Sequence, residues 1–301
     1  MNQTNQKQEN MFLKKAINRL QRQYKYTLGN GIKLSLFYLN SLHFPSRYHG
    51  VFPGIKKVCL FIGYPRSGHS LIGSLIDAHP DAMISHELDA VKLMKMGFSR
   101  QQIFFLILNN SETFSKKGRM WTGYSYEVPG QYQGKFKDLK VIGDKCGNQT
   151  TLGLEGLDGS FDLLRKTFGE NIYFLHVVRN PFDNIATMKR RGPQKMDIQH
   201  YIDAYFKLCE SNKRIIETVG EDRVLTIWHE SVVDRPRETI KKICLFLSLD
   251  VLESHVDDCS SLIFENTHKS RYKVQWSPEK ILFVMNRIKD YNFLSHYSYH
   301  A

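Results

Sequence analysis

The stretch Gly63-Tyr64-Pro65-Arg66-Ser67-Gly68-His69-Ser70 has the makings of an anion cradle. Small residues let a backbone come close to a ligand. The free N–H groups at the start of a helix carry a partial positive charge, so such a loop can hold a phosphate. An apolar run at 58–62 precedes it, and the helical pattern of Ser70, Leu71, Ile72, Leu75 and Ile76 follows, which predicts strand, loop, helix. Gly63, Gly68 and Ser70 fit the phosphate loop G-x4-G-K-[ST], but His69 stands where the lysine belongs. The strong cation comes early instead, at Arg66. This departure separates two enzyme classes.

The elements that must position this loop are short apolar runs at 58–62, 139–142, 172–178 and 224–228. Helical patterns lie near 68–78, 88–96, 99–109, 151–168, 182–191, 197–219, 236–248 and 278–290. Strands alternating with helices predict an α/β fold, a parallel sheet with helices on both faces. In such sheets ligands bind beyond the carboxyl ends of the strands. The later runs deliver Gly143-Asp144-Lys145, Arg179-Asn180-Pro181 and His229-Glu230 to that edge. Arg179 at a strand end calls for an anion, with an ion pair to Asp183 as the plain alternative. Thr187 falls two helical turns on, where its hydroxyl and the Arg179 fork can hold one phosphate together. Arg191 is a third contact or an exposed helix-end charge.

The chain has 301 residues, 42% hydrophobic and 24% charged, as expected of a soluble globular protein. The expected division is a basic helical extension and linker over 1–54 and one large domain over 55–301. Residues 1–57 hold ten Lys or Arg against one acid, most of the net charge of +12. At 11–25 the apolar residues Phe12, Leu13, Ala16, Ile17, Leu20 and Tyr24 share a helical face among basic ones. That pattern allows contact with an anionic membrane surface, or packing on the domain with a solvated basic face. No apolar run approaches the roughly 20 residues that span a bilayer. The polar first ten residues lack a secretory apolar core, and no nucleic-acid motif is present. Cys59, Cys146, Cys209, Cys244 and Cys259 show no paired spacing, predicting buried free thiols in a reducing cytoplasm. The histidines show no metal-ligand pattern, and no metal is expected.

Two motifs carry a family resemblance. The run 64–70, continued by LIGSLIDAHPD at 71–81, is similar to the loop that grips the 5′-phosphosulfate in sulfotransferases using 3′-phosphoadenosine 5′-phosphosulfate (PAPS). Ala78-His79-Pro80-Asp81 is particularly like the tyrosylprotein type. The run 177–187, VVRNPFDNIAT, resembles the family's 3′-phosphate motif, with Thr187 in the usual serine's place. The resemblance covers most of 55–300 and implies a P-loop-like three-layer α/β sandwich. It also implies PAPS as sulfuryl donor, held by Arg66, Ser67, Gly68, His69, Ser70, Arg179 and Thr187. Arg66 is expected at the leaving oxygen, Glu87 or else His86 as base, and Lys145 beside the transferring sulfonate. His69 replaces the loop's first threonine, and its ring is a candidate donor to a phosphate or sulfonate oxygen. The late cofactor loop is expected within 266–276, where Thr267, Lys269, Ser270 and Arg271 are candidates. The aromatic-rich stretch 120–132 is a candidate wall for the acceptor. That acceptor is a hydroxyl on a carbohydrate, a peptide tyrosine, a lipid or a small molecule. The competing readings are a P-loop kinase or NTPase, with Asp144 or Glu230 holding Mg²⁺, and a non-catalytic nucleotide- or polyanion-binding protein.

Overall fold

Strand β1 (Lys57–Gly63) is buried from Val58 onward and lies at the middle of a five-stranded sheet. With β2 (Ala82–His86), the short hairpin strands β3 (Met120–Trp121) and β4 (Tyr124–Ser125), β5 (Val141–Lys145), β6 (Ile172–Val178) and β7 (Val224–Trp228), the order across the sheet is β2-β5-β1-β6-β7. Every pairing in this sheet is parallel. Parallel strands need crossovers, and the helices supplying them cover both faces. This computed structural model describes residues 50–300 apart from 156–158, 194 and 264–265. The expectations for the first 49 residues, including the basic pattern at 11–25, lie outside the described residues.

One face carries Cys59, Phe61, Leu175 and Val177. It packs against α1 (His69–Asp77), α9 (Pro236–Phe246) and α10 (Glu253–Ser261) through Ile72, Leu75, Ile240, Ile243 and Val256. The other face meets α4 (Gly147–Leu154) and α7 (Ile198–Val219). A second core joins α6 (Pro181–Arg191), α7 and α11 (Pro278–Ile288) around Tyr64, Phe182, Tyr205 and Tyr291. The fold is thus a three-layer α/β sandwich, as expected. Strands β1, β2 and β5 are buried on both faces, β2 and β5 even at the polar residues His86, Asp144 and Lys145, whereas edge strand β7 alternates.

Several boundaries differ from expectation. The run at 139–142 is a strand only from Val141 and continues through Gly143, Asp144 and Lys145, so these are strand residues. The single helix expected over 151–168 is two, α4 and α5 (Ser160–Phe168). The helix expected at 99–109 runs on as α3 (Arg100–Lys116), capped by Ser99 and Gln102 in a capping box. Its polar last turns dilute the helical period, and the hairpin β3–β4 follows. Strand β2 escapes a hydrophobic scan because only Ala82, Met83 and Ile84 are apolar. All five cysteines are free and buried, with Cys59 in β1, Cys209 in α7 and Cys244 in α9. Among the described residues, no helix is long and apolar enough to cross a membrane.

Candidate active site

The helix after β1 leads toward β2 on one side, while β6 leads to β7 on the other. The crevice beyond the ends of β1 and β6 is therefore the topological switch point, where open α/β sheets bind ligands. Loop 64–68 stands there. Arg66 adopts a left-handed backbone, φ 71°, and its exposed side chain makes no hydrogen bond or ion pair among the described residues. Gly68, φ 104°, precedes the first turn of α1. A Cβ there would lie 2.6 Å from Nδ1 of His229, so the loop passes tightly beneath that ring. The Ser67 hydroxyl is buried and faces inward, within reach of the Tyr64 carbonyl at 3.0 Å and Nδ1 of His69 at 3.2 Å. His69 also turns inward, with Nε2 3.3 Å from the Ile62 carbonyl. Burial, with the charge of Lys145 second, lowers its pKa to about 4. The ring is thus turned to the strand end and to the loop's own hydroxyl.

Lys145 reaches this loop from the neighbouring strand end. Its ammonium donates to Glu87 Oε1 at 2.6 Å and to Ser70 Oγ at 3.2 Å, and lies 3.5 Å from His86 Nε2. The side chain is 1% exposed against 41% for Glu87. Burial lowers the Lys145 pKa, and the neighbouring Glu87 carboxylate opposes the shift. A cation thus stands against the loop's serine although the loop lacks its own lysine. Glu87 follows β2 with a left-handed backbone, φ 56°. His86 is stacked on Phe114 with ring centroids 4.1 Å apart and meets the edge of Trp121 at 4.8 Å. Burial first, then Lys145 and Arg119, lower its pKa to about 2. At neutral pH its ring is uncharged, and the Glu87 carboxylate beside it is the more exposed of the two.

At the end of β6, Arg179 is 8% exposed. One of its terminal nitrogens donates to the His268 carbonyl, and its Nε is buried without a partner. The alternative ion pair with Asp183 does not form, because Arg271 takes that carboxylate. Arg271 donates Nε to Oδ1 at 3.1 Å and a terminal nitrogen to Oδ2 at 2.7 Å, and its other terminal nitrogen holds the carbonyls of Ser298 and Tyr299. Arg271 is thereby committed to tying the late loop and the C-terminal tail to α6. The Thr187 hydroxyl donates to the Asp183 carbonyl one turn back at 2.7 Å. Arg191 is exposed at the end of α6.

The strand-end acids that a Mg²⁺–ATP enzyme would use are engaged elsewhere. Asp144 is fully buried and accepts from the Ser85 hydroxyl and the N–H groups of Leu88 and Ala90, fixing the turn that presents Glu87. Burial raises its pKa to about 6. Glu230 accepts from the Asn180 N–H at 2.9 Å and the Tyr297 hydroxyl. No group of three or more His, Cys, Asp or Glu among the described residues is arranged to hold a metal ion. Two features were read only coarsely in the sequence. His229, beside Gly68 and Arg179, was named only as a strand-end residue. Trp121, which meets His86, was named only within the aromatic stretch 120–132, because its hairpin has no periodic signal.

Residues 159–253 match the family model described as "Sulfotransferase family". No curated protein matches the chain by sequence. Among solved structures, it is similar to the sulfotransferase domain of a Synechococcus olefin synthase, at 19% identity over 75% of this chain and 82% of that one, TM-score 0.44. A mouse sulfotransferase complexed with PAP is 16% identical over 82% and 89% of the two chains, TM-score 0.42. A Mycobacterium tuberculosis sulfotransferase is 12% identical over 82% and 80%, TM-score 0.47.

Proposed function

We propose that this chain, a member of the sulfotransferase family, moves a sulfuryl group from PAPS to an acceptor hydroxyl by in-line displacement. The observation that carries the reading is Lys145, a buried ammonium held between the loop's Ser70 and the carboxylate of Glu87. It joins the anion-binding loop to a candidate base in one contact. The residues fit a nucleotide phosphorylated at both positions. Arg66 is open at one end, and at the other Arg179 has a buried Nε with no partner.

PAPS would supply an activated sulfuryl group on its 5′-phosphate. The N–H groups of Gly68, His69 and Ser70 cradle that phosphate, Arg66 stabilises the charge gathering on the leaving oxygen, and Lys145 faces the sulfonate. Ser67 contributes its backbone, since its hydroxyl is turned inward. Glu87 takes the acceptor's proton, positioned by Lys145 and by the turn that Asp144 holds. Arg179 binds the 3′-phosphate, and the Thr187 hydroxyl adds a donor when it turns from the Asp183 carbonyl. The hairpin bearing Trp121 walls the acceptor side; carbohydrate, peptide tyrosine, lipid and small-molecule hydroxyls share the chemistry. Five buried free thiols fit a reducing compartment, and on that chemistry we assign the enzyme to the cytoplasm.

The test is calorimetric titration with adenosine 3′,5′-bisphosphate, with ATP–Mg²⁺ as comparison and Arg179→Ala as control. Binding of the bisphosphate that the variant loses supports the reading. A preference for ATP–Mg²⁺ sinks it in favour of a kinase, and binding of neither points to a non-catalytic protein.

A further inference from the structure

His69 does more than fill the place of a threonine. Its ring sits at the one point where three parts of the site meet. Nε2 faces the Ile62 carbonyl at the end of β1, and Nδ1 faces the hydroxyl of Ser67 in the loop. The third part is the start of α4, which directly follows Lys145 and Cys146. There Gly147 lies so close that an added Cβ would stand 2.4 Å from Cε1 and 2.6 Å from Nε2 of the ring. A carbonyl only accepts, so the Ile62 contact puts the proton on Nε2, and the single proton of the Ser67 hydroxyl serves either the Tyr64 carbonyl or Nδ1 of His69. Along α1, which His69 begins, an added Cβ at Gly73 would lie 2.9 Å from Cγ of Lys145, and Ser70 accepts from the ammonium. Lys145 is therefore laid along the helix that His69 begins, while the His69 ring sets how near its backbone comes.

We propose that His69, matched to Gly147, is a positioning residue that sets the ammonium of Lys145 at its distance from the phosphate loop. The inference rests on the sulfuryl-transfer reading, in which Lys145 faces the transferring group. A misplaced charge of about an ångström lowers turnover by up to about a hundredfold, while N–H groups of an intact helix start still bind phosphate. The ring and Gly147 are complementary, so their substitutions should not act independently.

The experiment measures kcat with PAPS and the dissociation constant of adenosine 3′,5′-bisphosphate for the full chain and for His69→Ala, His69→Gln, Gly147→Ala and the double variant His69→Ala/Gly147→Ala. His69→Ala should lower kcat at least about tenfold while bisphosphate affinity stays within about threefold. His69→Gln, whose amide can donate to the Ile62 carbonyl, should recover part of the loss. Gly147→Ala should be as harmful as His69→Ala, and the double variant no worse than His69→Ala alone, because the added methyl then occupies vacated space. Equal losses of kcat and affinity, multiplying effects in the double variant, or a lowered melting temperature with kcat within about twofold would each overturn the proposal. If Gly147→Ala does not fold, the contrast of His69→Ala with His69→Gln decides. Wild-type bisphosphate binding tells the two readings apart: without it sulfuryl transfer fails and this inference with it, and with it only the positioning role is at stake.

Discussion

The two ends of the candidate nucleotide site are built in opposite ways. At the β6 end, charges are locked together: Arg271 and Asp183 are each 3% exposed and paired through two hydrogen bonds, and Arg179 is held by a backbone carbonyl. At the β1 end, Arg66 is exposed and unpaired among the described residues, and Glu87 is 41% exposed although it holds a buried lysine. A binding end benefits from being made in advance, because groups already ordered lose little entropy when the ligand arrives. A reacting end must admit an acceptor and leave cations free for charge that develops only during transfer. Non-glycine residues with left-handed backbone stand at the open end, Arg66 and Glu87, a strain that surrounding contacts must sustain.

The sharpest way to break this comparison is Asp183→Asn. It leaves Arg271 charged and buried without its carboxylate, and unfolding in urea should show a loss of about 3–5 kcal/mol. A loss below about 1 kcal/mol would mean the lock is ornamental. Arg66→Ala should lower turnover by about 10²–10³ with little change in bisphosphate affinity, and unchanged turnover would remove Arg66 from the reacting end. Buried histidines lie near both ends, and burial lowers His69 to about 4 and His176 and His229 to about 3, against an ordinary value of 6.5. Folded values below unfolded ones mean that the unfolded chain takes up protons first as pH falls. Stability present above pH 6.5 is therefore lost on the way down toward pH 4. From pH 7 to pH 6 each histidine should remove roughly 0.7 kcal/mol, read by denaturant unfolding at the two pH values. A flat profile would show these rings to be hydrated. Arg191→Ala should change bisphosphate affinity by less than about twofold, and a larger loss would extend the locked end along α6.

Locally encoded elements were readable in advance. Strand β6 and helices α6 and α7 lie within a residue of expectation, since an apolar run or a helical period marks each one. The hairpin β3–β4 was not, because its stability comes from neighbours: Arg119, at its base, is buried against Asp77 at 2.7 Å. The partner choice at Asp183 was equally unreadable, since Arg179 lies four residues away and Arg271 eighty-eight.

By itself the sequence determined the strand–loop–helix at 57–77, the parallel α/β class and the arginine at the end of β6. The loop and the arginine follow from chemistry within a couple of dozen neighbouring residues, where periodicity and glycine placement act, and the class follows from the alternation of such segments along the chain. Tertiary structure alone decided that Lys145 stands against a loop without a lysine, that His69 faces inward, that Glu87 rather than His86 keeps access to solvent, and that Asp144 and Glu230 accept from backbone N–H groups. Those outcomes depend on which strand ends become neighbours in the sheet and on what burial does to charge there, and a linear chain carries no local mark of either.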